Sequence, residues 1–439
     1  MDPATPNASR AFLPMIYLLL VWCCLALNVA GAAWVLVRAE LALHRKVAFA
    51  AAAAASIALK LLLAAQGHNH DLVSYGIVAS LVQAGQNVYA HTTRYNYAPL
   101  WACLLAGLKQ VSDGLPFAGP EKFHLTVAGF LAVADVAIAA ILASAYSYGA
   151  GLFFLCSPVI VLLTGYHSQF DDLALLFGLV SWLLIRRGPV TPARIALAGL
   201  LGGISLGLKQ VLFLFPVWVL FWPGLGRIRR RIGYTVIAYG FFALSFLPWA
   251  TNPPSRAGIV QNVFRYRSES LLSAIRMLVP RRLLTPASGG ESTVLMLVWI
   301  VVLIGAGLVV ARRDKGELLP MYLLVMFGCS PALVDQYLAI PMLACAILFT
   351  SWPVAALTGT ATLALLTSPA NFLRVPVNIV YFACMPATQI CSVALFVKQM
   401  KTPVLSPKNE LPAPRAVMRA AALAFGGAAF ACLRLLLTP

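Results

Sequence analysis

The sequence has few charged residues. Asp, Glu, Lys and Arg make up only 10% of its 439 residues, whereas soluble domains carry about 25%. Hydrophobic residues make up 61%. One soluble core could not bury so much apolar surface, because such cores stop growing at roughly 250–300 residues. A bilayer removes this difficulty because it is itself an apolar solvent. The composition therefore excludes a soluble domain and predicts an all-α polytopic membrane protein.

Several motifs of soluble enzymes are also absent. The nine cysteines include no C-x-x-C pair and no regular spacing, so neither a zinc site nor a disulfide framework is indicated. There is no G-x-G-x-x-G or Walker loop, so the sequence shows no nucleotide-binding motif. The N-terminal apolar segment lacks the basic start of a signal peptide, and we expect it to stay uncleaved. No linker or repeat is visible, so residues 1–439 are expected to form one membrane domain.

A transmembrane helix needs about 20 apolar residues, and fewer where a neighbouring helix shields it. This criterion predicts about 12–14 spans. They lie near residues 11–37, 47–65, 123–145, 150–165, 172–185, 195–209, 211–224, 232–249, 293–311, 318–330, 336–351, 353–368, 376–397 and 417–437.

The net charge is +18, and the basic residues stand between the apolar stretches. This pattern indicates membrane orientation and contact with anionic headgroups, with no nucleic-acid partner. Of the 32 Lys and Arg residues, 18 fall in alternate loops, which we expect to be cytoplasmic. These loops hold Arg38, Arg45 and Lys46; Arg186, Arg187 and Arg194; Arg227 and Arg229 to Arg231; Arg312, Arg313 and Lys315; and Lys398, Lys401, Lys408, Arg415 and Arg419.

The opposite, extracytoplasmic face is expected to hold two long loops, 66–121 and 250–292. In the first, Asp71 directly follows a span, and an amphipathic segment at 73–84 precedes an aromatic-rich run, a pattern typical of interfacial helices. Asp71 is either a solvated helix cap or a general base. His68, His70 and Asp71 are either solvated loop residues or ligands of a divalent cation.

Shorter turns on the same face carry further polar residues. His167, Gln169, Asp171 and Asp172 lie in one turn, where adjacent carboxylates at membrane depth need a partner or water. The alternative is an ordinary polar turn that caps a helix. Lys209 and Gln210 lie at the end of a glycine-rich span. The alternative to a functional role for Lys209, and for Lys60, is a side chain that snorkels to the membrane interface.

The loop 250–292 carries six arginines on a face where they should be scarce. They contact either anionic headgroups or a specific lipid phosphate, which arginine binds with a bidentate fork. Another outer turn holds Asp335, Gln336 and Tyr337. Asp135 lies inside a span and is given no role.

The order of these motifs resembles that of GT-C-type glycosyltransferases, specifically the GPI-anchor first mannosyltransferases and the bacterial family 87 enzymes. In those families an Asp after an early span, here Asp71, precedes a G-x-x-x-Y turn, here 85–89. An R-Y-x-Y-x-P-L segment follows, here 94–100. The run 168–171 is similar to a small G-x-F/Q-D turn, and 336–337 to an S-Q-Y turn. The resemblance covers about residues 66–350.

The resemblance implies transfer of a mannose-like hexose or a pentose from a polyprenyl-phosphate carrier to a glycolipid, polysaccharide or protein acceptor. Asp71 would be the general base of one inverting displacement. Lys209, Arg265 and Arg267 would stabilise the leaving phosphate. The GPI-anchor enzymes have a D-x-D pattern where this chain has only Asp71, so the sugar and the divalent cation stay open. Expected substrate-binding residues are His70, Tyr75, Arg94, Tyr97, His167, Gln169, Asp171, Asp172, Lys209, Gln210, Arg265, Arg267, Gln336 and Tyr337.

Two other functions remain open at the level of sequence. A transporter or flippase of lipid-linked sugars would place charged residues around a cavity at mid-membrane depth and would show repeated halves. A non-catalytic scaffold subunit would tolerate replacement of Asp71. The short, Ala-rich spans and short loops favour a bacterial plasma membrane, with the site facing the periplasm or exterior.

Overall fold

The computed structural model describes residues 16–26, 28–30, 32, 41–116, 119, 121–186, 190–265, 289–313, 317–331, 334–348, 352–368 and 378–401. Every regular element in these ranges is a helix. The predicted all-α polytopic membrane fold is therefore confirmed. The predicted span 417–437, Arg267 and most of the loop 250–292 lie outside the described residues.

Between residues 43 and 245, the described ranges contain eleven α-helices. They are α1 (Leu43–Ala65), α2 (His70–Gln83), α3 (Val88–His91), α4 (Pro99–Gly114), α5 (Lys122–Ala145), α6 (Tyr148–Cys156), α7 (Pro158–Gly165), α8 (Asp171–Arg186), α9 (Pro192–Leu208), α10 (Phe215–Phe221) and α11 (Ile228–Ser245). A 3₁₀ turn, Gln210–Leu212, separates α9 from α10.

The rest of the described chain continues the helical pattern with six further α-helices. They are α12 (Pro253–Ile259), α13 (Gly289–Arg312), α14 (Leu318–Gly328), α15 (Ala339–Ile347), α16 (Trp352–Thr367) and α17 (Asn378–Lys401). A π-helical turn, Val260–Phe264, follows α12, and a 3₁₀-helix, Asp335–Leu338, leads directly into α15.

Four helical stretches of the described chain are long and apolar enough to cross a membrane: Leu43–Ala65, Lys122–Ala145, Ile228–Trp249 and Ile379–Lys401. The 23 residues of α1 extend about 34 Å at 1.5 Å per residue, which exceeds the hydrocarbon thickness of about 30 Å. Other apolar helical segments of the described chain have 10–17 residues, among them Pro192–Leu208, Leu318–Gly328 and Trp352–Thr367.

The predicted span 150–165 is divided into α6 and α7, which meet at a bend of 49°. Pro158 occupies the first position of α7, where a missing backbone N–H costs nothing. The pair forms either one broken span or a re-entrant hairpin. The turn that carries His167 and Gln169 directly follows α7.

The glycines of α9 permit close packing against α11. A Cβ atom placed on Gly203 would lie 2.7 Å from Phe241 Cβ, and one on Gly199 would lie 2.9 Å from Ile237 Cβ. Both distances are shorter than real Cβ contacts, so only glycine allows this approach. The glycine-rich pattern therefore has a structural explanation.

Basic loops that the charge pattern assigns to one side meet at one end of the bundle. Arg186, at the end of α8, forms an ion pair with Glu317, just before α14. Tyr146 donates a hydrogen bond to the same carboxylate at 3.4 Å. The guanidinium of Arg45 lies 5.8 Å from the ring centroid of Tyr148. The loops that carry Asp71, Gln169 and Gln336 meet elsewhere.

Candidate functional site

One oxygen of Asp71 accepts hydrogen bonds from three neutral amides. Gln169 Nε2 and Gln336 Nε2 each lie 2.6 Å from Asp71 Oδ2. Asn69 Nδ2 donates to the same atom at 3.1 Å. Asp71 is half-buried, and no described residue donates to its Oδ1. The amides therefore fix the orientation of the carboxylate through Oδ2 and leave Oδ1 for another partner.

Asn69 is the N-cap residue of α2 and thereby sets the position of Asp71. Its Oδ1 accepts from the backbone N–H of Asp71 at 3.1 Å, which caps the helix. Its Nδ2 also lies 3.1 Å from His167 Nδ1. Asn69 is the cap, and Asp71 stands in the first turn, where the helix dipole favours a negative charge.

Gln169 reaches Asp71 from the turn between α7 and α8. The preceding residue, Ser168, has φ 49°, a left-handed conformation that costs a non-glycine residue about 1–2 kcal/mol. Backbone strain of this kind collects at functional sites. Gln169 is 1% exposed, so its amide is enclosed by the protein rather than hydrated.

Gln336 reaches Asp71 from the 3₁₀-helix Asp335–Leu338. Its neighbour Asp335 is buried and accepts hydrogen bonds from the hydroxyls of Ser368 and Tyr381. Ser368 directly follows α16, and Tyr381 lies in α17. Residues 265 positions apart, Asp71 and Gln336, thus meet because the late helices hold this short helix in place.

Lys209 forms a buried ion pair beside this carboxylate. Its Nζ lies 2.5 Å from Asp171 Oδ2, and the two side chains are 5% and 0% exposed. The same Nζ lies 4.8 Å from the ring centroid of Phe170, 5.3 Å from that of Tyr97 and 6.0 Å from that of Tyr337. Lys209 therefore does not snorkel but lies inside an aromatic cage.

Three buried polar atoms around Asp71 have no hydrogen-bond partner among the described residues: Tyr75 OH, Gln169 Oε1 and Asp171 Oδ1. The Tyr75 hydroxyl interacts electrostatically with Asp71, Asp171 and Tyr97. Burial raises the pKa of Tyr75 well above its ordinary value, so it remains a neutral hydroxyl. Leaving each such atom unsatisfied costs about 1–3 kcal/mol, so the arrangement suits a hydroxyl-bearing ligand.

A second charged cluster lies deeper in the helices. Lys60 Nζ is 2.6 Å from Asp135 Oδ2, and both side chains are fully buried. Thr164 Oγ1 donates to the same oxygen at 2.8 Å. Asp172 contacts Asp135 in this cluster. Asp171, in contrast, pairs with Lys209. The expected pair Asp171 and Asp172 is therefore divided between two clusters, and Lys60 is paired rather than snorkelling.

The histidines take separate places around the site. His70 is exposed at the start of α2, whereas His167 is 2% exposed and contacts Asn69. The ring of His68 lies 5.9 Å from that of the buried His124. The described residues contain no group of three or more His, Cys, Asp or Glu side chains placed to hold a metal ion.

Arg94 and Arg265 are exposed, and neither side chain contacts Asp71 in the described structure. Their loops are nevertheless joined. Asn262 Nδ2 donates to the carbonyl of Thr92 at 3.3 Å. Gln210 is half-buried, and its Nε2 has no hydrogen-bond partner within the described ranges.

The first outer loop also packs tightly against α12. Asn87 Nδ2 donates to the carbonyl of Trp249 at 2.6 Å. A Cβ atom on Gly258 would lie 1.8 Å from the carbonyl oxygen of Tyr89, so no side chain fits there. Tyr89 in turn donates to the carbonyl of Tyr97 at 2.8 Å.

The sequence interpretation missed two features. Asn69 was given no role, although Asn two residues before an Asp at a span end is typical of a helix cap. Asp135 and Lys60 were not paired, although isolated charges inside two spans would each be costly and favour a common partner. No model of a protein family matches the chain, and no curated protein matches it significantly in sequence.

Proposed function

We propose that this membrane protein is a glycosyltransferase that transfers a sugar from a polyprenyl-phosphate carrier to an acceptor at the extracytoplasmic face, with inversion. The observation that carries the proposal is the Asp71 carboxylate, which three amides orient through one oxygen. A general base needs such fixed geometry. The motif resemblance supplies the class of reaction, and a mannose-like hexose or a pentose remains the proposed sugar.

In the proposed step, Asp71 Oδ1 accepts the proton of the acceptor hydroxyl as its oxygen attacks the anomeric carbon. A new C–O bond forms, and the bond from the anomeric carbon to the phosphate oxygen breaks. The electron pair leaves with the polyprenyl phosphate. One displacement on one face of the sugar inverts the anomeric centre. The reaction needs no oxidant or reductant.

The leaving phosphate needs positive charge as its bond to the sugar breaks. Lys209 supports this role by its position in the aromatic cage, but its charge is balanced by Asp171. We therefore assign part of the phosphate contact to Arg94 and Arg265, whose guanidinium groups are exposed on joined loops. Arginine forms bidentate contacts with phosphate.

The sugar itself would lie between Asp71 and the aromatic cage. Tyr97 and Tyr337 are half-buried rings that can pack against its apolar face. Its hydroxyls would satisfy Gln169 Oε1, Asp171 Oδ1 and the Tyr75 hydroxyl, which have no partner among the described residues. The acceptor, whether glycolipid, polysaccharide or protein, would approach Asp71 Oδ1.

The test is sugar transfer by purified protein with a panel of radiolabelled polyprenyl-phosphate sugars and a membrane lipid extract. Wild type is compared with Asp71→Asn. A matched control is Asp113→Asn, because the Asp113 side chain is 57% exposed on α4 and pairs with Lys109. Transfer that is lost in Asp71→Asn and kept in Asp113→Asn supports the proposal. Equal transfer in all three removes Asp71 from the mechanism.

The alternative is a transporter or flippase of lipid-linked sugars in the same membrane. One observation favours it: the fully buried pair Lys60 and Asp135 lies inside two long apolar helices. Charges at such depth often mark transport pathways. Translocation of a labelled lipid-linked sugar across proteoliposomes, without sugar transfer to any acceptor, would favour this function.

A further inference from the structure

A buried carboxylate stands directly beside the residue that holds Asp71. Asp335 is 6% exposed and begins the 3₁₀-helix whose next residue, Gln336, donates to Asp71 Oδ2 at 2.6 Å. In the described residues its two oxygens accept from two hydroxyls rather than from a cation: Ser368 binds Oδ2, and Tyr381 binds Oδ1. We call Asp335, Ser368 and Tyr381 the hydroxyl clamp.

The hydroxyl clamp joins three separate parts of the chain. Ser368 follows the last residue of α16, and Tyr381 lies in the first turn of α17. An apolar residue at position 335 would be buried without needing either hydroxyl. A carboxylate requires both, and therefore fixes this helix at a defined place between α16 and α17.

Other contacts hold the segment before the 3₁₀-helix. Gln389 Nε2 in α17 donates to the carbonyl of Ser330 at 2.8 Å and to that of Phe327 at 3.2 Å. Thr388 Oγ1 bonds Thr360 Oγ1 at 3.0 Å and so connects α17 with α16. The hydroxyl clamp thus rests on two helices that are themselves bonded to each other.

We infer that Asp335 is a positioning residue that acts through Gln336 on Asp71, with Ser368 and Tyr381 as its supports. This inference rests on the proposed function, because the geometry that it sets is that of the proposed general base. Gln336 is half-buried, and its side-chain amide donates to Asp71. Without the clamp, its amide would no longer be held at 2.6 Å from Asp71 Oδ2.

The test is a double-mutant cycle between Tyr381→Phe and Gln336→Leu, with sugar transfer and thermal unfolding measured on the full-length protein. Tyr381→Phe alone is expected to lower kcat about tenfold, with the KM for the donor unchanged, because a misplaced orienting group affects the chemical step. In the Gln336→Leu background the same substitution is expected to leave kcat unchanged, whereas its effect on thermal unfolding persists.

Thr388→Ala is the matched control. It removes a hydroxyl that bridges the same two helices without touching the 3₁₀-helix, so it should alter unfolding and leave kcat within about twofold. Ser368→Ala replaces Tyr381→Phe if the latter fails to fold. An equal loss of kcat in both backgrounds, or no loss in either, overturns the inference. A wild type that transfers no sugar instead overturns the proposed function.

Discussion

Asp71 and Asp135 are both held in place by other side chains, but by different chemistry. Asp71 is half-buried and is oriented by the amides of Asn69, Gln169 and Gln336. Asp135 is fully buried and is neutralised by Lys60. Amides fix a carboxylate without cancelling its charge, whereas an ammonium group cancels the charge. The first arrangement suits a group that reacts, and the second suits a group that stabilises helix packing.

The largest effect is expected at the half-buried carboxylate. Asp71→Asn should reduce sugar transfer by about 10²–10⁴-fold, the usual contribution of a general base, while the unfolding temperature changes little. Transfer rates and thermal unfolding of the same preparation check this. A large fall in unfolding temperature would mean that Asp71 is structural, like Asp135, and would remove the contrast between them.

Replacing one member of the buried pair Lys60 and Asp135 should instead lower the stability of the protein. Lys60→Met leaves Asp135 buried without its cation and should destabilise the protein by about 3–5 kcal/mol. Thermal unfolding in detergent measures this. Lys109→Met is the control, because Lys109 forms an exposed pair with Asp113 that is worth at most about 1 kcal/mol. Equal stability of the two variants would contradict the assignment of Lys60 to a stabilising pair.

A smaller effect is expected when one amide is removed. Gln169→Leu deletes one hydrogen bond to a charged group, worth about 1.5–3 kcal/mol, and should lower kcat/KM about 10–100-fold. Gln83→Leu serves as the comparison, since Gln83 Nε2 donates to the carbonyl of Ala106 at 3.1 Å. If both variants keep wild-type kcat/KM, the amides do not orient the reacting carboxylate.

The smallest effect concerns the backbone of the turn. Ser168→Gly relieves the left-handed strain at φ 49° but increases the entropy of the unfolded chain. These terms oppose each other, so the free energy of unfolding should change by less than about 1 kcal/mol. Ser168→Val, in contrast, should be clearly destabilising, because branched side chains avoid this conformation. Chemical or thermal unfolding distinguishes the two.

Much of the fold can be predicted from the lengths of the apolar segments alone. Helices α1, α5 and α17 lie within a few residues of spans predicted from hydropathy. The division of 150–165 at Pro158 and the shortening of the predicted span 336–351 to α15 were not predicted, because a run of apolar residues does not record where neighbouring helices shield a bent or short segment. The predicted span 318–330 was already short and agrees closely with α14.

The sequence predicts which residues belong to the site better than it predicts which side chains pair with each other. Asp71, Gln169 and Gln336 were all named as candidates, and the structure brings them to one oxygen. The sequence gives no distances, however, so it could not show that Lys209 binds Asp171 or that Asp172 contacts Asp135. Such pairings depend on how α8 packs against its neighbours, which is a property of the tertiary structure.

The close approach of Gly258 to Tyr89 has a mechanical consequence. No methyl group would fit between them, so we expect the loop before α4 and the helix α12 to move together. Tyr97, whose carbonyl accepts a hydrogen bond from Tyr89, should move with them. We therefore expect room for a bulky lipid head beside Asp71 to come from movement of the 3₁₀-helix that carries Gln336 and Tyr337.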